Sequence, residues 1–192
     1  MKKILKNIYN VPSAICNRIA FVLHKSKLYS NVKINGRLRL YGKGRLILGN
    51  GVRINSRYRN NPIGGQTFTS IYIKPQAIVE IGDNTGISNA AIYAAVGIKI
   101  GKNVKIGGDV KIFDTDFHSL DYEVRRSPND TEFKSKQIQI EDDVFIGASS
   151  IILKGVTIGA RSIIGAGSVV TKSIPPGEIW AGNPAKFIRT VD

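Results

Sequence analysis

The chain has 192 residues and a formal net charge of +14, from 28 Lys and Arg against 14 Asp and Glu. A single Cys and two His exclude an internal disulfide framework and any zinc site needing several Cys or three His. No stretch approaches the roughly 18 uninterrupted apolar residues of a membrane span, so the composition points to one elongated cytoplasmic domain with appendages.

Charge is divided unevenly along the chain. Residues 1–79 hold 15 of the basic residues and no acid, and the first carboxylate is Glu80. A block of one sign this long suits an anionic partner. Residues 1–31 read as a basic amphipathic N-terminal segment. Over 3–28, Ile4, Leu5, Ile8, Val11, Ile15, Ile19, Val22 and Leu23 recur at helical intervals with Lys and Arg between them, and Pro12 predicts an interruption. Such a helix suits three roles: lying on anionic lipid, capping the open end of a repeat domain, or packing on a second subunit. Lys6, Pro12 and Arg18 break up any secretory signal core. The basic residues lack an aromatic stacking platform, which argues against nucleic acid as a partner.

From residue 32 to 192 a six-residue grammar takes over. Ile34 and Leu40 hold one register, Leu48 and Ile54 another shifted by two residues, and Ile81 and Ile87 come next, with the Asn60 to Gly65 segment read as a bulged loop. The pattern then becomes regular. Ile100, Ile106 and Ile112 head successive blocks, His118 stands where the next aliphatic residue belongs, and the register returns at Ile140, Ile146, Ile152, Ile158, Ile164 and Val170. Position five is small or β-branched, as in Val104, Val110, Val144, Val156 and Ser168, which suits short strands. Recurring Gly and Asn suit corners. Three blocks close one triangular coil, and stacked coils pair in parallel at about 4.8 Å. Antiparallel hairpins would give variable spacing, and apolar residues six apart do not share a helical face. The fold class is therefore all-β, a parallel β-helix with a short N-terminal helical segment and a C-terminal tail over 175–192. Residues 119–137 form an ejected polar loop in which Ser127 to Asp130 reads as a turn.

The stretch Ile164 to Arg189, IGAGSVVTKSIPPGEIWAGNPAKFIR, the upstream IGDNTGIS and the histidine segment FDTDFH together resemble the bacterial hexapeptide-repeat acyltransferases. The similarity is greatest to the sugar O-acetyltransferase branch, which includes maltose, galactoside and capsule or O-antigen acetyltransferases, and it covers about residues 80–190. The resemblance implies a left-handed β-helix, a homotrimer with active sites between subunits, and acetyl-CoA as co-substrate with no metal. It also implies a tail that leaves the rod after Pro175 as a short segment or helix.

Acetyl transfer to a hydroxyl needs a base, an oxyanion donor and a groove for the thioester. Imidazole is the side chain suited to proton transfer near neutral pH, and His118 sits where the resemblance places the catalytic histidine. An acid should orient its other nitrogen: Asp116, two residues away, is the first candidate and Asp114 the second. Ser88 and Asn89 lie close to the family's functional Asn, with Asn89 expected to bind the acceptor hydroxyl or the oxyanion. Gly147, Ala148, Gly165 and Ala166 offer a groove free of bulky side chains for pantetheine. Thr171, Lys172, Lys186 and Arg189 match family positions at the nucleotide end, where phosphate attracts cations. In the ejected loop, Tyr122, Arg125 and Arg126 are candidates for acceptor contact. The expected activity is acetyl-CoA-dependent O-acetylation of a saccharide hydroxyl in surface polysaccharide biosynthesis. A lipid-linked acceptor at the inner face of the membrane would suit the basic N-terminus. The alternatives are N-acetylation of an amino sugar and a non-catalytic β-helix scaffold.

Overall fold

The structure, a computed structural model, describes residues 2–65, 67–128 and 130–191. The described strands build three parallel sheets, each the face of a left-handed triangular prism. Face I runs from Lys27–Leu28 through Arg45–Leu48, Ile78–Ile81, Gly97–Ile100 and Ile138–Ile140 to Thr157–Ile158. Face II begins at Lys33–Gly36 and Arg53–Ser56. It continues through Gly86–Ser88, Lys105–Ile106, Phe145–Ile146 and Ile163–Ile164. Face III stacks Arg39–Gly42, Ser70–Ile73, Ala91–Ala94, Lys111–Phe113, Ile151–Ile152 and Val169–Val170.

The aliphatic residue heading each block fills the prism axis. Ile140, Ile146, Ile152, Ile158 and Ile164 are each 0% exposed, and burying such a side chain stabilises by about 1.5–3 kcal/mol. Ile140 pairs with Ile158, Ile146 with Ile164 and Ile152 with Val170, so one coil takes eighteen residues. The two-residue shift upstream has a simple cause. Leu40 stacks in the column of Ile71 and Leu48 in that of Ile81, so eight residues span the corner between faces III and I here, where six separate Ile152 from Ile158 in the later coils.

Two excursions interrupt the stack without changing its register. Ile54 pairs with Ile87, and between them residues 57–65 leave the prism as two short 3-10 turns, Tyr58–Asn60 and Pro62–Gly64. Ile106 pairs with Ile146, so the chain holding His118 is inserted between consecutive rungs.

The N-terminal helix α1 spans Lys2–Leu23 and runs through Pro12. The expected interruption does not occur, although proline removes one hydrogen bond there. Asn17, 5% exposed, fixes α1 over the open end of the prism: its amide donates to the Gly36 carbonyl and accepts from Leu38 N–H, both at 2.9 Å. Ala20 and Phe21 pack on the core beside it. Ile15, Ile19, Val22 and Leu23 face outward and are exposed. Ile4, Leu5, Ile8 and Val11 lie in the part of α1 whose side chains are outside those described. The first rung, Lys27–Leu28, pairs with Ile47–Leu48, so stacking begins before residue 32.

The tail differs from expectation. It neither leaves the rod at Pro175 nor becomes helical. Glu178–Ala181 adds one more parallel rung to face II, and Lys186–Thr190 folds back antiparallel against it. Apolar Ile179 and Trp180 pair with Ile163 and Ile164, which keeps this stretch on the sheet.

Candidate active site

Corners between faces carry most of the candidate residues. The strand Lys111–Phe113 ends at the edge between faces III and I, and here the chain departs. Asp114 anchors the departure. Its carboxylate is fully buried and accepts three N–H groups of the preceding coil: Ala95 at 2.6 Å, Val96 at 2.9 Å and Gly97 at 2.7 Å. Thr115 and Ser135 close the neck of the loop through an antiparallel bridge and a 2.8 Å hydroxyl contact. Asp116 pairs with Lys154 on the next coil at 2.6 Å.

Neither Asp116 nor Asp114 touches the His118 ring, which corrects both expectations. His118 Nδ1 lies 2.7 Å from Asp130 Oδ2, and Asp130 Oδ1 accepts Ser119 N–H at 2.9 Å. Strand alternation does not apply because the chain is not extended here. Phe117 has φ of 65°, a left-handed conformation that turns His118 away from Asp116. The Phe117 ring sits edge-on to Tyr93, centroids 4.7 Å apart, and is tilted against Phe113 at 5.5 Å. The strained residue is thereby held by packing. Asp130 escaped notice because it lies twelve residues on; its one sequence signal was the turn beginning at Ser127. Asn129 of that turn lies outside the described residues.

The electrostatics favour one tautomer. The Ser119 N–H first, and His118 second, hold the Asp130 carboxyl below the usual carboxylate range. An ionised carboxylate only accepts hydrogen bonds, so Nδ1 carries the proton and Nε2 presents a lone pair. The His118 side chain is 70% exposed, leaving that nitrogen accessible.

The ejected loop is internally braced. Helix α2, Tyr122–Arg126, is capped by Asp121, whose carboxylate accepts Glu123 N–H at 2.8 Å. Arg125 donates to the carbonyls of Ser119 and Leu120, so its guanidinium is a loop brace rather than a free acceptor contact. Arg126 lies over the Tyr122 ring at 4.9 Å, and Tyr122 stays 54% exposed. Phe133 reaches back to the Lys74 ammonium, 5.0 Å away.

The remaining candidates divide between two edges. Thr171 and Lys172 come after the last rung of face III and share the edge of His118. Gly147, Ala148, Gly165 and Ala166 lie between faces II and III, across the width of face III. A Cβ on Gly147 would meet Ala166 N at 2.5 Å, so close stacking of coils alone requires this glycine. Lys186 and Arg189 sit on the turned-back strand against face II.

Ser88 and Asn89 also belong to the edge between faces II and III, away from His118 of the same chain. Ser88 Oγ accepts from Asn55 at 3.1 Å. Asn89 is 2% exposed, and its amide is committed at both ends: Oδ1 accepts Arg57 N–H and Nδ2 donates to the Asn61 carbonyl, both at 3.0 Å. It pins the 57–65 excursion to the prism, and the expected contact with an acceptor hydroxyl or an oxyanion is corrected to this role.

Residues 137–172 match a family model described as the hexapeptide repeat of succinyl-transferase. The galactoside O-acetyltransferase of Escherichia coli is 36% identical over 128 residues, covering 63% of this chain and 61% of that protein. The 2,3,4,5-tetrahydropyridine-2,6-dicarboxylate N-acetyltransferase of Clostridium perfringens is 57% identical over 53 residues, covering 28% and 22%. The chain thus spans less than two thirds of the length of these curated relatives. Among solved structures, a mutant of AntD is similar at a TM-score of 0.73 and 23% identity, covering 92% of this chain and 88% of that one, and it shows the shared fold. AntD is an N-acyltransferase from Bacillus cereus in complex with dTDP-4-amino-4,6-dideoxyglucose and coenzyme A. The hexapeptide-repeat acetyltransferase VCA0836 of Vibrio cholerae, complexed with acetyl-coenzyme A, has a TM-score of 0.54 at 26% identity and covers 93% of this chain and 78% of that one.

Proposed function

We propose, from the match of residues 137–172 to the hexapeptide-repeat model and the similarity to the Escherichia coli galactoside O-acetyltransferase, that the chain is a hexapeptide-repeat acyltransferase and moves an acetyl group from acetyl-coenzyme A to a saccharide hydroxyl, with His118 as general base. The observation that carries this is the His118–Asp130 pair, which leaves an exposed Nε2 at the mouth of an ejected loop. Nε2 takes the hydroxyl proton as the oxygen attacks the thioester carbonyl. Collapse of the tetrahedral intermediate breaks the carbon–sulfur bond, and the same proton passes to the departing thiolate. The oxygen attacks directly, so no covalent acyl-enzyme forms.

The donor reading draws support from VCA0836 and AntD, solved with acetyl-coenzyme A and coenzyme A respectively. Within one chain the base and the small-residue edge lie on opposite margins of face III. A second copy set alongside would bring one edge to the other. The donor would then lie between copies of a homotrimer. The groove of Gly147, Ala148, Gly165 and Ala166 would take the pantetheine arm, and Thr171, Lys172, Lys186 and Arg189 the phosphates. Tyr122 and Arg126 would frame the acceptor, with Ser88 contributed by the neighbouring copy.

The first acceptor class is a hydroxyl, as in the E. coli relative. An amino sugar is the second reading, because AntD was solved with one. Among the described residues no helix is long and apolar enough to cross a membrane. We read the outward face of α1, with Ile15, Ile19, Val22 and Leu23, as a peripheral contact with an anionic leaflet, which suits a lipid-linked precursor of a surface polysaccharide.

The test is release of free thiol from acetyl-coenzyme A over a panel of sugars and amino sugars, with wild type and His118→Ala. Sugar-stimulated release that the variant loses, with a product cleaved by mild alkali, supports the ester. An alkali-stable product moves the assignment to the amino sugar. Release that His118→Ala keeps removes the histidine from the mechanism.

A further inference from the structure

Face II carries a column of outward cations to which no carboxylate among the described residues is bonded. Lys33 pairs across the ladder with Arg53, Arg53 with Gly86, and Gly86 with Lys105. Lys33 and Arg53 therefore sit on adjacent rungs, about 4.8 Å apart at the backbone, and like charges directly opposite on a sheet repel.

Several cations elsewhere on the prism have a partner or an acid opposite. On face I, Lys99 lies opposite Glu80. On face III, Lys111 pairs with Asp109 at 2.9 Å, and beyond the ejected loop Lys154 pairs with Asp116. Arg39 rests on the Phe68 ring. Among the described residues, no carboxylate is bonded to Lys33, Arg53 or Lys105. The neighbouring Asp83 spends its carboxylate on Asn50 N–H at 2.7 Å.

The column is also shaped. Asn31, Lys33, Gly51, Arg53, Asn84, Gly86 and Lys105 line a groove of roughly 440 Å³. Gly86 is its floor, an empty rung between two cations. Lys105 folds across this floor: its ammonium donates to the Asn84 carbonyl at 3.2 Å. A Cβ placed on Gly86 would meet only the Lys105 side chain, at 3.6 Å, so neither space nor backbone conformation demands glycine here. With no side chain of its own, this rung leaves the groove open apart from the Lys105 side chain.

We propose that this groove binds a diphosphate ester, its anionic oxygens lying over Gly86 between the Arg53 guanidinium and the Lys105 ammonium, with Lys33 closing the end. Phosphate oxygens accept charge-assisted hydrogen bonds from such groups, and arginine can bind them two at a time. The strand that supplies the floor, Gly86–Ser88, also carries Ser88. In this one respect the inference rests on the acetyltransferase reading: it makes the acceptor a saccharide carrying a diphosphate.

The experiment is calorimetric titration of the full chain with pyrophosphate and with uridine diphosphate, in the absence of coenzyme A, so that its outcome is independent of acetyl transfer. Wild type, Arg53→Gln and Gly86→Glu are compared, the last placing a carboxylate on the empty rung. Wild type should bind both probes. Arg53→Gln should weaken binding about tenfold. Gly86→Glu should abolish binding while its melting temperature stays equal or rises, because the new carboxylate offsets the column. Equal binding by wild type and Gly86→Glu overturns the proposal, as does a wild type that binds neither probe. Binding only to vesicles containing anionic lipid, lost in Gly86→Glu, also overturns it and assigns the groove to a membrane surface.

Discussion

Asp130 Oδ2 stands 2.7 Å from His118 Nδ1 although Asp130 comes twelve positions later in the chain. The base and its partner are thus two ends of one excursion, and the loop's fold sets the tautomer of the histidine. Asp130→Asn keeps the size of the side chain and removes the charge that fixes the proton on Nδ1. Thiol release should fall by about 10²-fold, and His118→Ala should cost about 10²–10⁴-fold. Coenzyme A binding should be unchanged in both, measured by calorimetry. An Asp130→Asn variant with wild-type turnover would remove Asp130 from the mechanism.

The same pair sets a pH dependence. The folded protein holds the Asp130 carboxyl below its ordinary value. Its contribution is therefore complete above the ordinary carboxylate range and is lost as pH falls through the lowered value. Protease cutting within residues 119–136 should increase on acidification through that range. In Asp130→Asn it should already be increased at neutral pH and respond less to acid.

Asn89 gives a prediction of the opposite kind. With its amide joined to Arg57 and Asn61, Asn89→Ala should free the 57–65 excursion and lower stability by about 1–3 kcal/mol in denaturant melts. Turnover per folded molecule should fall less than tenfold. A loss as deep as that of His118→Ala, with unchanged stability, would restore Asn89 to the chemistry.

Asp114 should behave as a structural anchor. Asp114→Ala strands the N–H groups of Ala95, Val96 and Gly97, the last of them buried, and the expected loss is about 3 kcal/mol. Thermal denaturation reads it directly. A melting temperature within a degree of wild type would contradict the geometry.

The outward face of α1 is tested by Ile15→Ser, Ile19→Ser and Leu23→Ser together. These residues are exposed, so the melting temperature should change little. Sedimentation with anionic vesicles should fall severalfold, while neutral vesicles show no binding for either protein. Unchanged sedimentation would leave α1 as a cap alone.

The prism was legible because one physical rule, an aliphatic residue turned inward at each rung, recurs from Leu40 to Val170. Its upstream fault is the same rule with a longer corner, visible once Leu40 and Leu48 are seen to stack in the columns of Ile71 and Ile81. The site was legible only as far as His118. Which acid meets its ring depends on the left-handed turn at Phe117 and on the return path of the loop, and neither can be read from local spacing. Asn89 was misread because the resemblance names a position, whereas its duties depend on whether a loop is present at residues 57–65 to occupy it. The tail was misread because Ile179 and Trp180 stand outside the six-residue count yet still pair with the last full coil.

A stack of parallel coils has no intrinsic reason to stop, since each end presents unpaired backbone groups on which another molecule could continue. Asn17 closes one terminus by occupying Gly36 O and Leu38 N, and Lys186–Thr190 turns antiparallel against the final rung at the other. These two devices set the length of the molecule. Without them the repeat that makes it stable would also let it polymerise end to end into fibrils.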